Sequence, residues 1–251
     1  MAIALLDYCD GTGTIYSATS SSMDSTGADF LIAVVSAYNS PIDPSAFSDN
    51  RGNSWSVLCS HTGINNQSIF YCKNPTSVGV GHTFTYTKGF AVYPSIGGYA
   101  WSGVDLAENF STNNTSVRSS VTVGSVTSGA DYSLFFLTVG TGHTITLSSI
   151  SGGFTTLSNI TGGSAQYQGL HTAYKIQTVA GSRTENPTAT FSGTQNIGAS
   201  MGSFLQSSSS GGGGGSSTPT AGTQVYPFRQ FVEADFGSAG GSATIHPLYA
   251  N

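Results

Sequence analysis

Asp29 to Tyr38, DFLIAVVSAY, decides how this chain is read. It is apolar almost without interruption and stops at a proline-containing turn, Asn39 to Pro44. A short apolar run bounded by turn residues is the pattern of a strand buried inside a sheet assembly. The residues around it repeat the theme. Ser48 to Trp55, SDNRGNSW, supplies Asp-Asn and Gly-Asn turn chemistry and leads into a strand at Trp55 to Cys59. Ser68 to Lys73 alternates until Asn74-Pro75 ends it, and His82 to Thr87, HTFTYT, alternates with period two. Ala91 to Val104 is another strand region.

Further strands are expected at Ser119 to Val123, Tyr132 to Val139, Thr144 to Ser148, Tyr167 to Gln177, Thr188 to Phe191 and Ala199 to Leu205. Nowhere do ten residues keep the i, i+3, i+4, i+7 spacing of an amphipathic helix. The expected class is all-β: an antiparallel β-sandwich of jelly-roll type with a short C-terminal extension. Two echoes run through the chain. GADFL at Gly27 returns as GADYSL at Gly129, and VGVGHTFT at Val78 returns as VGTGHTIT at Val139. Their spacings, 27 to 129 and 78 to 139, do not agree, so they read as strand-start chemistry used twice rather than as a repeat.

Composition sets limits on function. Charged residues are only 8% of the 251, replaced by Gly, Ser and Thr, while aromatics reach 11% and hydrophobics 38%. Disorder brings high charge and few aromatics, so this is a folded body with a neutral, hydroxyl-rich surface. A net charge of -5 with seven Lys and Arg in no cluster argues against nucleic acid. The N-terminal MAIALLDYCDGTG lacks a basic leader region, and no apolar run reaches a membrane span. Three cysteines make no disulfide framework. Cys59 and Cys72 flank the expected hairpin loop HTGINNQ, which leaves a pairing across adjacent strands open, although two small buried thiols are the favoured reading.

Near the end the composition breaks. Ser207 to Thr220, SSSSGGGGGSSTPT, cannot bury apolar surface and reads as a flexible tether. The expected organisation is a sandwich body over 1–206, a linker over 207–220 and an aromatic-rich attachment segment over 221–251. That last segment carries Tyr226, Phe228, Phe231, Phe236 and Tyr249, the expected partner-binding residues. Too small to fold alone, it is expected to dock on a neighbouring subunit by strand addition or aromatic anchoring.

Three stretches carry a resemblance: TGADFLIAVVSAY (Thr26 to Tyr38), SDNRGNSWSVL (Ser48 to Leu58), and VGVGHTFTYT (Val78 to Thr87) followed by YPSIGGYAWSGVD (Tyr93 to Asp105). Their order resembles β-sandwich modules, concanavalin-like or jelly-roll, of bacteriophage virion proteins and bacterial surface proteins. The resemblance implies a display, decoration or adhesion role and brings no catalytic residues. A virion protein assembled in the host cytoplasm needs no secretion signal. The leading expectation is therefore a non-enzymatic virion structural protein, a capsid decoration or tail-associated component binding other virion proteins and itself. The alternative is a carbohydrate-binding or adhesin module for cell-surface glycans.

Other chemistry is thin. Asp105 and Glu108, with Glu185 more distant, are the best carboxylates for a glycosidase, yet they read as solvated turn residues. The histidines His61, His82, His143, His171 and His246 show no metal or protease spacing. Asp43, Asp49, Asn50 and Asn53 share a loop and offer calcium-type oxygens without the full calcium-loop pattern, so a hydrogen-bonded turn is favoured. Trp55, Trp101, Tyr71, Tyr86 and Tyr99 are the aromatics a sugar site would use, with core packing the default for the tryptophans. No catalytic residue, cofactor or metal is expected.

Overall fold

A computed structural model describes residues 1–129, 132–142, 145–162, 168–179 and 181–207, apart from the side chains of 114–116. These residues belong to one compact unit, Met1–Ser210. It is built of antiparallel strands with a single 3₁₀ turn at Pro44–Ala46 among the described residues.

The first large sheet runs, in spatial order, β1 (Ala4–Thr12), β10 (Ser95–Ser102), β4 (Phe30–Tyr38), β7 (Asn65–Lys73) and β6 (Ser56–His61). The second runs β11 (Val104–Thr122), β18 (Thr188–Gln206), β13 (Ser133–Gly142), β16 (Gln168–Gln177) and β15 (Thr155–Ile160), with β14 (Leu147–Ile150) also on β18. Small sheets complete the body: β2 (Ser17–Thr19), β9 (Phe84–Thr87) and β5 (Phe47–Asp49); β3 (Met23–Asp24) with β8 (Val80–His82); and β12 (Val126–Ser128) with β17 (Arg183–Glu185).

Pleat alternation explains why β4 and β13 read as unbroken apolar runs. Along β4, Phe30, Ile32 and Val34 face the second large sheet, where they meet Leu134, Phe136 and Phe204. Leu31, Ala33 and Val35 face the other way, onto Phe47, Phe84 and Tyr86 of the small β2-β9-β5 sheet. On β13 the odd residues Phe135, Leu137 and Val139 meet β14 and the start of β18 through Leu147, Ile150 and Phe191. Four layers therefore stack, and both central sheets are covered on both faces. All ten residues of β13 are buried. Each large side chain so enclosed contributes about 1.5–3 kcal/mol.

The two large sheets are segregated along the chain. Everything in the first precedes Gly103 and everything in the second follows it. A jelly roll spanning the whole body would instead draw alternate strands into opposite sheets. The halves share one connectivity. In each, the first strand pairs with the last, the last with the second, the second with the fourth and the fourth with the third. The small sheets correspond as well: β2-β9-β5 to the distal part of β11, the start of β18 and β14, and β3-β8 to β12-β17. Four pairs of equivalent strands begin 103 residues apart, at 23 and 126, 30 and 133, 65 and 168, and 80 and 183. Even a bulge recurs: the register slips by one residue at Val57/Cys59 and again at Thr156/Asn159, turning Leu58 and Leu157 onto the shared interface.

This overturns the reading of the echoes. GADFL and GADYSL lead into the equivalent strands β4 and β13, within one residue of the strand spacing, and belong to a genuine repeat, whereas the second echo matches β8 and β9 to the end of β13, which are not equivalent. Across the interface β1 lies over β15 and β11 over β6, while β10 lies over β16 and β18 over β7. Exchanging the halves leaves that arrangement unchanged, so they are related by a pseudo-two-fold axis. The joint is Gly103 alone. Its φ of +75° and a Cβ position 2.3 Å from the Ala2 carbonyl require glycine there. Asp29 receives the Gly103 N–H at 2.7 Å and the Val104 N–H at 3.3 Å, which is one use of the acidic residue in the GADFL stretch.

Candidate functional site

The body has two distinct ends. β4 and β13 run the same way, since the Gly140 Cα comes close to Ser36 at one end while Phe30 and Phe204 meet at the other. The last described residues, Gln206 and Ser207, lie at the Phe30 end. The Gln206 N–H donates to the Tyr132 carbonyl at 3.1 Å and the Ser207 N–H to the Gly103 carbonyl at 2.9 Å. A shallow, mainly apolar cavity of about 320 Å³ opens beside these residues, lined by Met1, Ile3, Tyr132, Ile176 and Gln206. The residues expected to bind partners, Tyr226, Phe228, Phe231, Phe236 and Tyr249, lie outside the described residues, as do His143 and His246.

The opposite end is made of loops from the first half. Lys88 N–H donates to the Tyr16 carbonyl, Val92 and Tyr93 N–H to the Ile15 carbonyl, Tyr38 N–H to the Val92 carbonyl, and Asn39 N–H to the Ile64 carbonyl. These bonds gather Ile15, Tyr16, Tyr38, Ile64 and Phe90, all 37–52% exposed. Lys88 holds its ammonium 5.4 Å from the Phe90 ring centre and pairs with Asp43 at 2.9 Å, so the cluster carries little net charge. In the second half the stretch corresponding to Lys88–Pro94 remains inside the continuous strand β18.

The aromatics that the sequence offered for sugar binding are elsewhere. Trp101, Tyr86 and Tyr99 are fully buried. The Tyr99 hydroxyl bonds Ser158 and Thr172, Tyr71 stacks on Phe30, and Trp55 packs edge-on to Phe47. Tyr16, Tyr38 and Phe90 went unnoticed because exposure at a loop tip follows from which loops meet, and that has no local signal.

The SDNRGNSW loop closes around one carboxylate. Asp49 Oδ1 accepts the Arg51 and Asn53 N–H groups, and Oδ2 accepts Asn53 Nδ2, Trp55 Nε1 and His82 Nε2 at 2.8–3.3 Å. Because a carboxylate only accepts, Nε2 of His82 carries a proton, and Nδ1 lies 2.8 Å from the Ser25 hydroxyl. Burial alone would raise the Asp49 pKa; hydrogen bonds from His82 and Asn53 outweigh it and hold it at about 2. Ser25, His82 and Asp49 thus form a chain of serine, histidine and aspartate, but Ser25 and His82 are both wholly buried. A nucleophile needs a substrate within reach, so this chain is a clamp between the 48–55 loop and β8. The calcium-type oxygens are spoken for in the same way. Asn50 bonds Gly81 and Thr83, Asn53 bonds Ser77, and Asp43 bonds Ser45 and Lys88. Among the described residues no cluster of His, Cys, Asp or Glu could hold a metal ion.

The carboxylates proposed for glycosidase chemistry are engaged separately. Asp105 pairs with Lys73 at 2.6 Å, Glu108 accepts the Gly129 N–H at 2.8 Å, and Glu185 pairs with Lys175 at 2.6 Å. No family model, curated protein or solved structure matches this chain. Its chemistry has to be argued from its own residues.

Cys9, Cys59 and Cys72 are free and buried, and burial pushes their thiols up to about 11, 12 and 11. Cys59 lies opposite Ile69, not Cys72, and the two thiols face opposite sides of the first sheet. A disulfide between them is therefore excluded by the pleat. His171 is also buried, between Asn159 at 2.8 Å and Thr141 at 3.1 Å, and burial lowers its pKa to about 4. The folded state thus prefers the neutral ring while the unfolded chain takes up a proton near 6.5. Stability is complete above that value and falls as pH drops from 6.5 towards 4, by on the order of 3 kcal/mol. His61, lowered by burial in the same sense, adds to the trend. Urea titrations at pH 7 and pH 4.5 should show this loss, and His171→Asn should shrink it. Equal pH dependence in the two proteins would remove His171 as its source.

Proposed function

We propose that this protein is a non-enzymatic structural and display module of a larger assembly, a capsid decoration or tail-associated component of a bacteriophage virion. On this reading the 221–251 segment attaches it to neighbouring subunits and the loop end projects outward. The observation that carries the proposal is the two-ended body: the last described residues before the aromatic segment lie at one end, and the exposed aromatic loops gather at the other. The resemblance of Thr26 to Tyr38 and Ser48 to Leu58 to virion sandwich modules supports the same class. So does a surface poor in charge, on which the titratable groups of the candidate sites are tied into internal bonds.

Attachment would draw on burial of aromatic anchors, which concentrate binding energy when desolvated at an interface centre. The flexible tether would let the segment find its site while the body stays free to orient. The test is transfer. Residues 207–251 fused to an unrelated soluble carrier should deliver that carrier to the assembly, and replacing Tyr226, Phe228 and Phe231 together with alanine should abolish delivery. A carrier that never associates, beside a native protein that does, would place attachment in the body.

A second reading, glycan recognition, is favoured by Tyr16, Tyr38 and Phe90, whose exposed rings could stack on sugar faces. Retention on immobilised glycans that is lost in a Tyr16→Ala, Tyr38→Ala double variant would support it. Retention that survives the double variant would count against the loop end as the sugar site.

A further inference from the structure

We infer that the body is a fused dimer: two copies of one sandwich whose mutual face is an assembled interaction surface, matched so that the first half recognises the second and not itself. The shared connectivity, the recurring 103-residue spacing, the repeated bulge and the exchange symmetry of the contacts all describe a two-fold interface between like subunits. Only one residue, Gly103, joins the halves. What holds them together is the face itself.

That face has two zones. Towards the Phe30 end it is apolar and aromatic: Phe30, Tyr99 and Trp101 from the first half against Phe136 and Phe204 from the second. Towards the loop end it is polar and close-fitting. The Asn65 side chain donates to the Asn196 carbonyl and the Gln67 side chain to the Gly198 carbonyl, so amides of β7 grip the backbone of β18. The approach depends on glycine. A Cβ on Gly198 would lie 2.5 Å from the Asn65 carbonyl oxygen, and one on Gly140 would lie 2.5 Å from the Ser36 hydroxyl and 2.8 Å from the Gln67 amide.

The equivalent positions of the first half are not glycine. Strand pairing places Phe204 opposite Leu134 and Trp101 opposite Phe30, which equates Gly198 with Ser95 and Gly140 with Ser36. Two first halves brought together on the same face would crowd Ser36 and Ser95 against Gln67; opposite the Asn65 carbonyl Ser95 would fit, as it does in donating to the equivalent Gln168 carbonyl. Two second halves would keep only one of the two amides, because Asn65 is matched by Gln168 but Gln67 by Leu170. Attraction and exclusion both favour the unlike pair.

The test cuts the native protein. A protease site with short flexible flanks is placed between Ser102 and Gly103, which leaves the bonds from Gly103 and Val104 to Asp29 in place. After cleavage the two fragments should co-elute at the volume of uncut protein at micromolar concentration. Gly198→Ala should leave the uncut chain folded but weaken association of the cut halves by roughly tenfold or more. Co-expression of residues 1–102, in two differently tagged forms, with 103–251 should let either tag capture the second half while neither captures the other. The same capture by residues 103–206 separates the face from any association of the 207–251 segment. Fragments that separate on cleavage would overturn the inference, as would first halves that pair with each other as readily as with the second.

Discussion

Replacing Asp49 with alanine is expected to cost the body about 3–5 kcal/mol, the loss typical of removing one partner from a buried charged network. Five donors converge on its two oxygens, and the side chains of Asp49 and His82 are both fully enclosed. Deleting the carboxylate strands those donors and releases the 48–55 loop from β8. In urea unfolding the midpoint should fall sharply, and Tm should drop by roughly 10 °C. Asn at this position is a sharper probe. Two donors reach Oδ1 and three reach Oδ2, so either orientation of an amide turns its NH₂ against at least two N–H groups. Asp49→Asn should therefore recover less than half of the loss. A stability within about 1 kcal/mol of the native value for Asp49→Ala would mean the clamp is ornamental.

Phe136→Ala and Phe135→Ala form the second test, and their comparison is the informative part. Phe136 sits in the interface between the halves, edge-on to Tyr99 at 4.8 Å and to Trp101 at 6.5 Å. Emptying its site should cost about 3–5 kcal/mol. Phe135 is the next residue and points to the opposite face, where a two-layer sandwich would meet solvent. In the four-layer body it is as buried as Phe136, enclosed with Phe191 and Met201. Both substitutions should be severe and of similar size. A loss below about 1 kcal/mol for Phe135→Ala would contradict the outer layer of the second half.

The all-β class was readable from DFLIAVVSAY and its neighbours because apolar continuity and turn residues are local properties. The second covering layer was not, since a strand buried on one face by a sheet and on the other by a small hairpin spells the same apolar run. β1 escaped notice because Asp7 and Asp10 interrupt its pattern; Asp7 in fact receives the Asp24 N–H at 2.7 Å. β11 and β18 each run for 19 residues through two sheets, and the sequence divides β18 into two strands and catches only the far end of β11. The duplication was half visible. One echo, 102 residues apart, came within one residue of the strand spacing, but the second, coincidental one concealed it, and the halves share burial positions such as Phe30 and Leu134 more than they share residues. The SDNRGNSW turn was legible as a turn, whereas its partner His82 lies 33 residues away and only the fold brings it to Asp49. The loop-end aromatics depend on four separate loops meeting.

Sedimentation of the full-length chain beside one ending at Gln206 tests the attachment role most directly. The account predicts that both contain a folded body of equal stability, and that only the full-length chain self-associates or co-sediments with isolated particles. Identical behaviour of the two, whether as monomers or bound to particles, would contradict attachment through residues 221–251.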